Sequence, residues 1–182
     1  MIARTTLVWP LSPDHDRSMY TTRELERQRS RAVQRTGVLM TGDEERFDRI
    51  TRLACADFGV ASAAITFIVD DQQYLKSVVG TAERVIRRED AFCAVTIALD
   101  RPLVVPDLTE DPRFSDYLFV RGPEGLRFYA GVPVRGPGGW VVGTVCLLDP
   151  SPRTLDDREL GRLVQLAEQV EFEVNTAGAA GA

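Results

Sequence analysis

The sequence predicts an α+β domain: a mostly antiparallel sheet with helices packed on it in two or three layers. Three observations point there. Two pairs of apolar, β-branched runs flank tight-turn signals at 70–71 and 136–139, the mark of hairpins. Segments near both ends of the chain carry apolar residues at helical spacing. The composition is ordinary for a globular chain of 182 residues, 44% hydrophobic and 27% charged, with no internal repeat.

The elements follow in order. Thr21 with Glu24 three residues on fits a capping box, and Gly37 fits a helix stop, so a basic helix is expected over 22–37 after an N-terminal tail, 1–21. Arg23, Arg27, Arg31 and Arg35 recur at i+4 as a solvated stripe on a helix expected to dock weakly. Asp43 is placed to cap a second helix through Phe58, with Phe47, Ile50, Leu53, Ala54 and Phe58 on one face and Gly59 as its stop. Residues 61–71 and 72–80 read as a hairpin about Asp70-Asp71, and the polar stretch 81–90 as a loop. Asp90 is placed to cap a short helix over 91–99. Residues 103–108 form a short strand, with Pro106 confined to an edge or strand end.

Asp111 followed by Pro112 reads as a helix start, broken at 122–125. Residues 126–136 and 140–149 form the second hairpin. A last helix is expected from Thr154, boxed with Asp157, with Leu160, Leu163, Val164, Ala167, Val170 and Val174 as its core stripe. Phe172 points away from that stripe, and a tail is expected over 175–182.

Charge and rare residues narrow the chemistry. Residues 1–40 carry seven Arg against four acids; residues 41–182 carry 15 basic and 23 acidic side chains. An acidic body is a poor partner for nucleic acid. No apolar run exceeds about five residues, and the N-terminus lacks the apolar core of a signal peptide, so a cytoplasmic protein with no membrane partner is expected. The one histidine, His15, lies in a Pro- and Asp-rich segment, which disfavours Ser-His-Asp, Cys-His and His-ligated metal chemistry. The three cysteines, Cys55, Cys93 and Cys146, include no CxxC, so neither a disulfide framework, a metal site nor a cofactor is expected.

Six segments in fixed order, 72–80, 92–97, 104–114, 126–134, 143–153 and 163–170, resemble a GAF domain of the type found in bacterial histidine kinases and diguanylate cyclases. The resemblance covers about 22–174, with the domain proper at 43–174. It implies α/β/α layers: a central antiparallel sheet with the first and last helices on one face, short helices and loops on the other, and a pocket between. It also implies a sensory module, dimeric through its terminal helices. With no output domain following, a stand-alone module acting on a signalling partner protein is expected. The cyclic-nucleotide signature NKxxFxxxDE is absent. The free methionine sulfoxide reductases share the fold and use pocket cysteines, but the motifs around Cys93 and Cys146 differ from theirs.

Candidate ligand-binding residues are Phe92, Cys93, Thr96, Asp107, Phe114, Arg127 and Tyr129. The aromatics suit a small-molecule cavity. Arg127, on an apolar strand, is suited either to grip an anion as a bidentate fork or to brace a loop through Asp107 or Asp111. Thr96 offers a hydroxyl to a ligand or to its own helix. Cys93 in the first turn of a helix sits where the positive end favours thiolate. Arg27, Arg31 and Phe172 are candidate dimer contacts. Three functions compete: a non-enzymatic sensor for an unknown small molecule, a thiol redox enzyme or switch built on Cys93 and Cys146, and a ligand-free interaction scaffold with a filled core.

Overall fold

A computed structural model describes residues 22–80 and 83–179. The chain runs α1 (Thr22–Arg35), α2 (Glu45–Phe58), β1 (Ser62–Val69), β2 (Gln72–Val79), β3 (Val85–Arg87), α3 (Phe92–Leu99), β4 (Leu103–Val105), α4 (Leu118–Arg121), β5 (Phe128–Arg135), β6 (Val141–Asp149) and α5 (Asp157–Ala179). The strands form one sheet in the order β3-β2-β1-β6-β5-β4, and every neighbouring pair is antiparallel. The two expected hairpins, β1–β2 and β5–β6, are thus joined edge to edge through β1 and β6.

Strand alternation sorts the side chains into two cores. On one face Ala63, Ile65, Phe67, Ala130, Val132 and Leu147 meet α1, α2 and α5. On the other, Ala64, Ile68, Tyr129 and Cys146 meet α3, β4 and the 106–120 segment. The expected apolar stripe of α5 is buried at Leu163, Ala167, Val170 and Val174, while Leu160 and Val164 pack partly buried beside it.

Polar staples hold the first helices down. Arg29 is buried and donates to the Ile68 carbonyl (2.7 Å) and to both carboxylate oxygens of Glu26 (3.0 and 2.6 Å); Glu26 also accepts from Arg88. So α1 is docked firmly, not weakly, although its Arg23, Arg27, Arg31 and Arg35 stripe is exposed as expected. The only lysine, Lys76, points from β2 into the segment between α1 and α2. Its Nζ donates to the Thr41 carbonyl and hydroxyl and the Gly42 carbonyl (3.0, 2.7 and 2.6 Å), and pairs with Glu44 at 2.8 Å. Burial alone would raise the Glu44 carboxyl, but hydrogen bonds from Arg46, Lys76 and Thr41 hold it at about 2.

Several local expectations are corrected. Thr21 lies outside the described residues, as do residues 1–20 with His15. Glu44, not Asp43, is the N-cap of α2, and Asp43 pairs with Arg84 instead. The 81–90 stretch contains strand β3, because β2 offers a free edge on which Val85–Arg87 can pair. Asp90 lies in a 3₁₀ turn, and Ala91 takes the N-cap position of α3. Asp111 opens turns rather than a helix. Its carboxylate accepts from the Arg113 backbone N–H (3.0 Å), and the helix proper, α4, starts at Leu118. The capping box of α5 is Asp156 with Glu159, not Thr154 with Asp157: each backbone N–H donates to the other's carboxylate, at 3.0 and 2.7 Å. The tail expected from 175 is helical to Ala179. Among the described residues no helix is long and apolar enough to cross a membrane.

Candidate functional site

The face away from α1 and α5 is not filled. Between β1, β2, the start of α3 and the 119–126 segment lies a cavity of about 300 Å³. Its wall is mainly apolar: Ala64, Leu75, Val78, Ile86, Phe92, Phe119, Leu126 and Leu148. At its floor the sheet supplies a polar cluster. Thr66 and Thr144, opposite each other on β1 and β6, share a hydroxyl hydrogen bond of 2.9 Å. Beside them Cys146 of β6 meets Cys93 of α3, thiol to thiol. Tyr129 of β5 reaches Thr96 of α3, hydroxyl to hydroxyl at 2.7 Å. The Tyr129 ring can lie across its own strand because the next residue on that face is Gly131; a methyl there would overlap the Tyr129 hydroxyl.

Burial and hydrogen bonds divide the titration of this cluster. The Cys146 hydrogen bond draws the Cys93 thiol down from its ordinary value, opposed by burial and helped by the Thr144, Tyr129 and Thr66 hydroxyls. Cys146 is pushed up by that same partner and by burial. Tyr129 is pushed up mainly by burial. Cys55, by contrast, packs partly buried against the opposite core, its thiol raised by burial.

Of the seven candidate ligand residues, the cavity gathers Phe92, Cys93 and Tyr129. Thr96 and Phe114 stand behind the wall, completely buried. Thr96 is held by Tyr129, and Phe114 meets Phe92 edge to face at 5.5 Å. Arg127 lies outside the lining and donates to the Val120 and Leu126 carbonyls (3.1 and 3.0 Å); it braces the segment that closes the cavity. That brace uses carbonyls, not the expected carboxylates. Asp111 is engaged by Arg113, and Asp107 turns to the Thr109 N–H and hydroxyl, at 2.9 and 2.6 Å. The candidate dimer contacts Arg27 and Phe172 are exposed, Phe172 by 67%, and so is Arg31.

Three features went unread in the sequence. Thr66 and Thr144 were legible only as polar residues interrupting apolar strands. Gln73, next to the β1–β2 turn, is 4% exposed and lines the cavity, and its Oε1 has no hydrogen-bond partner among the described residues. Glu83, Asp90 and Glu124 bring carboxylates to the same lining. Among the described residues no cluster of three or more His, Cys, Asp or Glu side chains is arranged to hold a metal ion.

Comparison with known proteins agrees with this architecture. The family model described as GAF domain matches residues 44–174. A cyclic di-GMP phosphodiesterase of Pseudomonas aeruginosa is 33% identical over 154 residues, which is 84% of this chain and 26% of that protein, so the chain spans about a quarter of its relative's length. Among solved structures, the GAF domain of an Acinetobacter phosphoenolpyruvate-protein phosphotransferase superposes with a TM-score of 0.62 at 13% identity, covering 90% of this chain and 99% of the other. The free methionine-R-sulfoxide reductase of Neisseria meningitidis does so at 0.61 and 17%, covering 96% and 99%. At these identities the structures speak to the fold alone. The family match, over most of the chain and on the sheet and helices described above, means that this chain belongs to the GAF domain family.

Proposed function

We propose that this domain is a non-enzymatic sensory module of bacterial signalling, working in the cytoplasm as a homodimer, which takes a small molecule into the cavity and passes its occupancy to a partner protein through α1 and α5. The observation that carries this reading is the cavity itself. Its wall and the seat of the terminal helices are opposite faces of the same strands. Ala64 and Cys146 line the cavity, and their neighbours Ala63 and Leu147 pack in the helix-bearing core. A ligand that shifts β1 or β6 therefore acts on both faces at once, because packed cores respond as units. The family and the cyclic di-GMP phosphodiesterase relative support a regulatory role. The cavity favours this reading over a ligand-free scaffold, which calls for a filled core.

Native mass spectrometry followed by denaturing mass spectrometry on one gently purified sample tests it. A dimer carrying a mass that is lost on denaturation is the expected result. An empty monomer that no metabolite extract loads overturns it.

A second reading rests on the contact between the Cys93 and Cys146 thiols in the cavity wall. With hydrogen peroxide as oxidant, the two thiols would lose two protons and two electrons to give one disulfide and two waters, tying α3 to β6. A loss of two mass units after peroxide, reversed by dithiothreitol and absent from Cys93→Ser, is its signature. An unchanged mass under peroxide overturns it.

A further inference from the structure

We infer that the cavity selects an uncharged or cationic small molecule that presents a hydrogen-bond donor, and turns away anions, phosphate-bearing ligands included. This rests on the reading of the cavity as a ligand site and says what enters it.

Two independent observations carry the inference. The first is charge. The ionisable side chains at the lining, the two thiols and Tyr129 apart, are the carboxylates of Glu83, Asp90 and Glu124; among the described residues no Arg, Lys or His lines it. The guanidinium groups nearby are committed elsewhere. Arg87 pairs with Glu89 and Asp90, Arg84 with Asp43, and Arg127 with two carbonyls. Arg87 offsets Asp90, and the Glu124 carboxylate keeps the lining acidic. The start of α3, at Ala91–Cys93, also borders the cavity, and a helix N-terminus attracts anions. Asp90, immediately before it, already supplies that end with a negative charge. An anion entering here would lose its hydration among carboxylates with no cation to receive it.

The second observation is Gln73. Its side chain is all but buried in the wall, yet its Oε1 has no donor among the described residues. A buried oxygen left unpaired is costly, because it has given up water for nothing. The terminal torsion of glutamine is broad and turns easily. A ligand N–H or O–H at this point supplies the missing partner, and Leu75, Ile86, Phe92, Phe119 and Leu126 receive an apolar body. The wall thus combines one acceptor, an apolar cage and an acidic rim, the complement of an amine, an amide or a similar donor-bearing fragment.

The test is a screen by ligand-observed NMR of a fragment library divided equally among amines, neutral amides and alcohols, and carboxylate or phosphate anions. Ala64→Phe, which blocks the cavity, identifies hits that bind there. Cavity hits are expected among amines and neutral donors, with affinity falling about tenfold in Gln73→Met. In Gln73→Glu the amines are expected to be retained and the neutral donors weakened. If Gln73→Met does not fold, the Gln73→Glu comparison decides alone. Anions appearing among the cavity hits as often as amines, or hits indifferent to both Gln73 variants, would overturn the inference and leave the cavity reading standing. No hit sensitive to Ala64→Phe in any class would overturn both.

Discussion

The two faces of the sheet are built from the same strands and differ in kind. One is covered by three long helices over a broad apolar core, and it is stapled by Arg29 and Lys76. The other carries one eight-residue helix, a single turn of a second and extended segments, and it encloses a cavity floored by hydroxyls and thiols. A close-packed face holds stability, because each buried methylene there keeps its full set of contacts. A hollow face gives some of that up and gains room for a ligand. The division is a hypothesis about energetics, and substitutions on the two faces can break it.

Truncation of a large side chain should separate the faces most widely. Phe47, fully buried among α2, β1 and β2, is expected to cost about 3–5 kcal/mol as Phe47→Ala, since the surrounding helices cannot collapse into the gap. Leu75 already borders a void, so Leu75→Ala enlarges a space rather than creating one, and about 2 kcal/mol is expected. Urea unfolding with unchanged m-values measures both. Equal losses would dissolve the distinction between the faces.

The dense face was also the more legible in sequence. The period of α2 and α5 and the pattern of the two hairpins named most of its residues, because a helix or strand buried against a regular neighbour must repeat its apolar positions. The hollow face depends on contacts among segments far apart in the chain. Cys93 meets Cys146 through the packing of α3 on β6, and Thr66 meets Thr144 through the sheet register. The strand at 85–87 looked like a loop because its edge position needs only backbone pairing, which polar residues supply as well as apolar ones. Arg127 reads in the sequence as a half-buried cation needing acceptors, but the carbonyls that receive it, of Val120 in the single turn of α4 and of Leu126 after it, carry no sequence signature. Gln73 was hidden by its place beside a turn, where glutamine is unremarked.

The staple at Lys76 sharpens the comparison through pH. Lys76→Met keeps the aliphatic stem and removes the charge that serves Thr41, Gly42 and Glu44, at an expected cost of about 1–3 kcal/mol at neutral pH. The Glu44 carboxyl is depressed in the fold, to about 2 from an ordinary 4.5. Its contribution is therefore fully present above about 4.5 and lost as pH falls from there toward 2. Wild type should lose stability across that window, and Lys76→Met should lose less, since part of the depression has already gone. Parallel acid profiles of the two proteins, followed by the urea midpoint, would show that Lys76 does not hold Glu44.

The finest comparison uses two neighbours in one strand. Ala63 and Ala64 are both at most 1% exposed, and alternation sends them to opposite faces, Ala63 opposite Leu147 and Ala64 opposite Cys146. Ala63→Leu forces three carbons into a filled core and is expected to cost about 1–3 kcal/mol. Ala64→Leu projects the same three carbons into the cavity, where they find room and apolar walls. Its stability is expected to stay within about 1 kcal/mol of wild type. The same substitution should abolish binding of any ligand the cavity takes, so that stability and occupancy move independently. If Ala64→Leu destabilises as much as Ala63→Leu, the hollow face is as tightly committed to packing as the dense one, and the cavity is not space held open for a ligand.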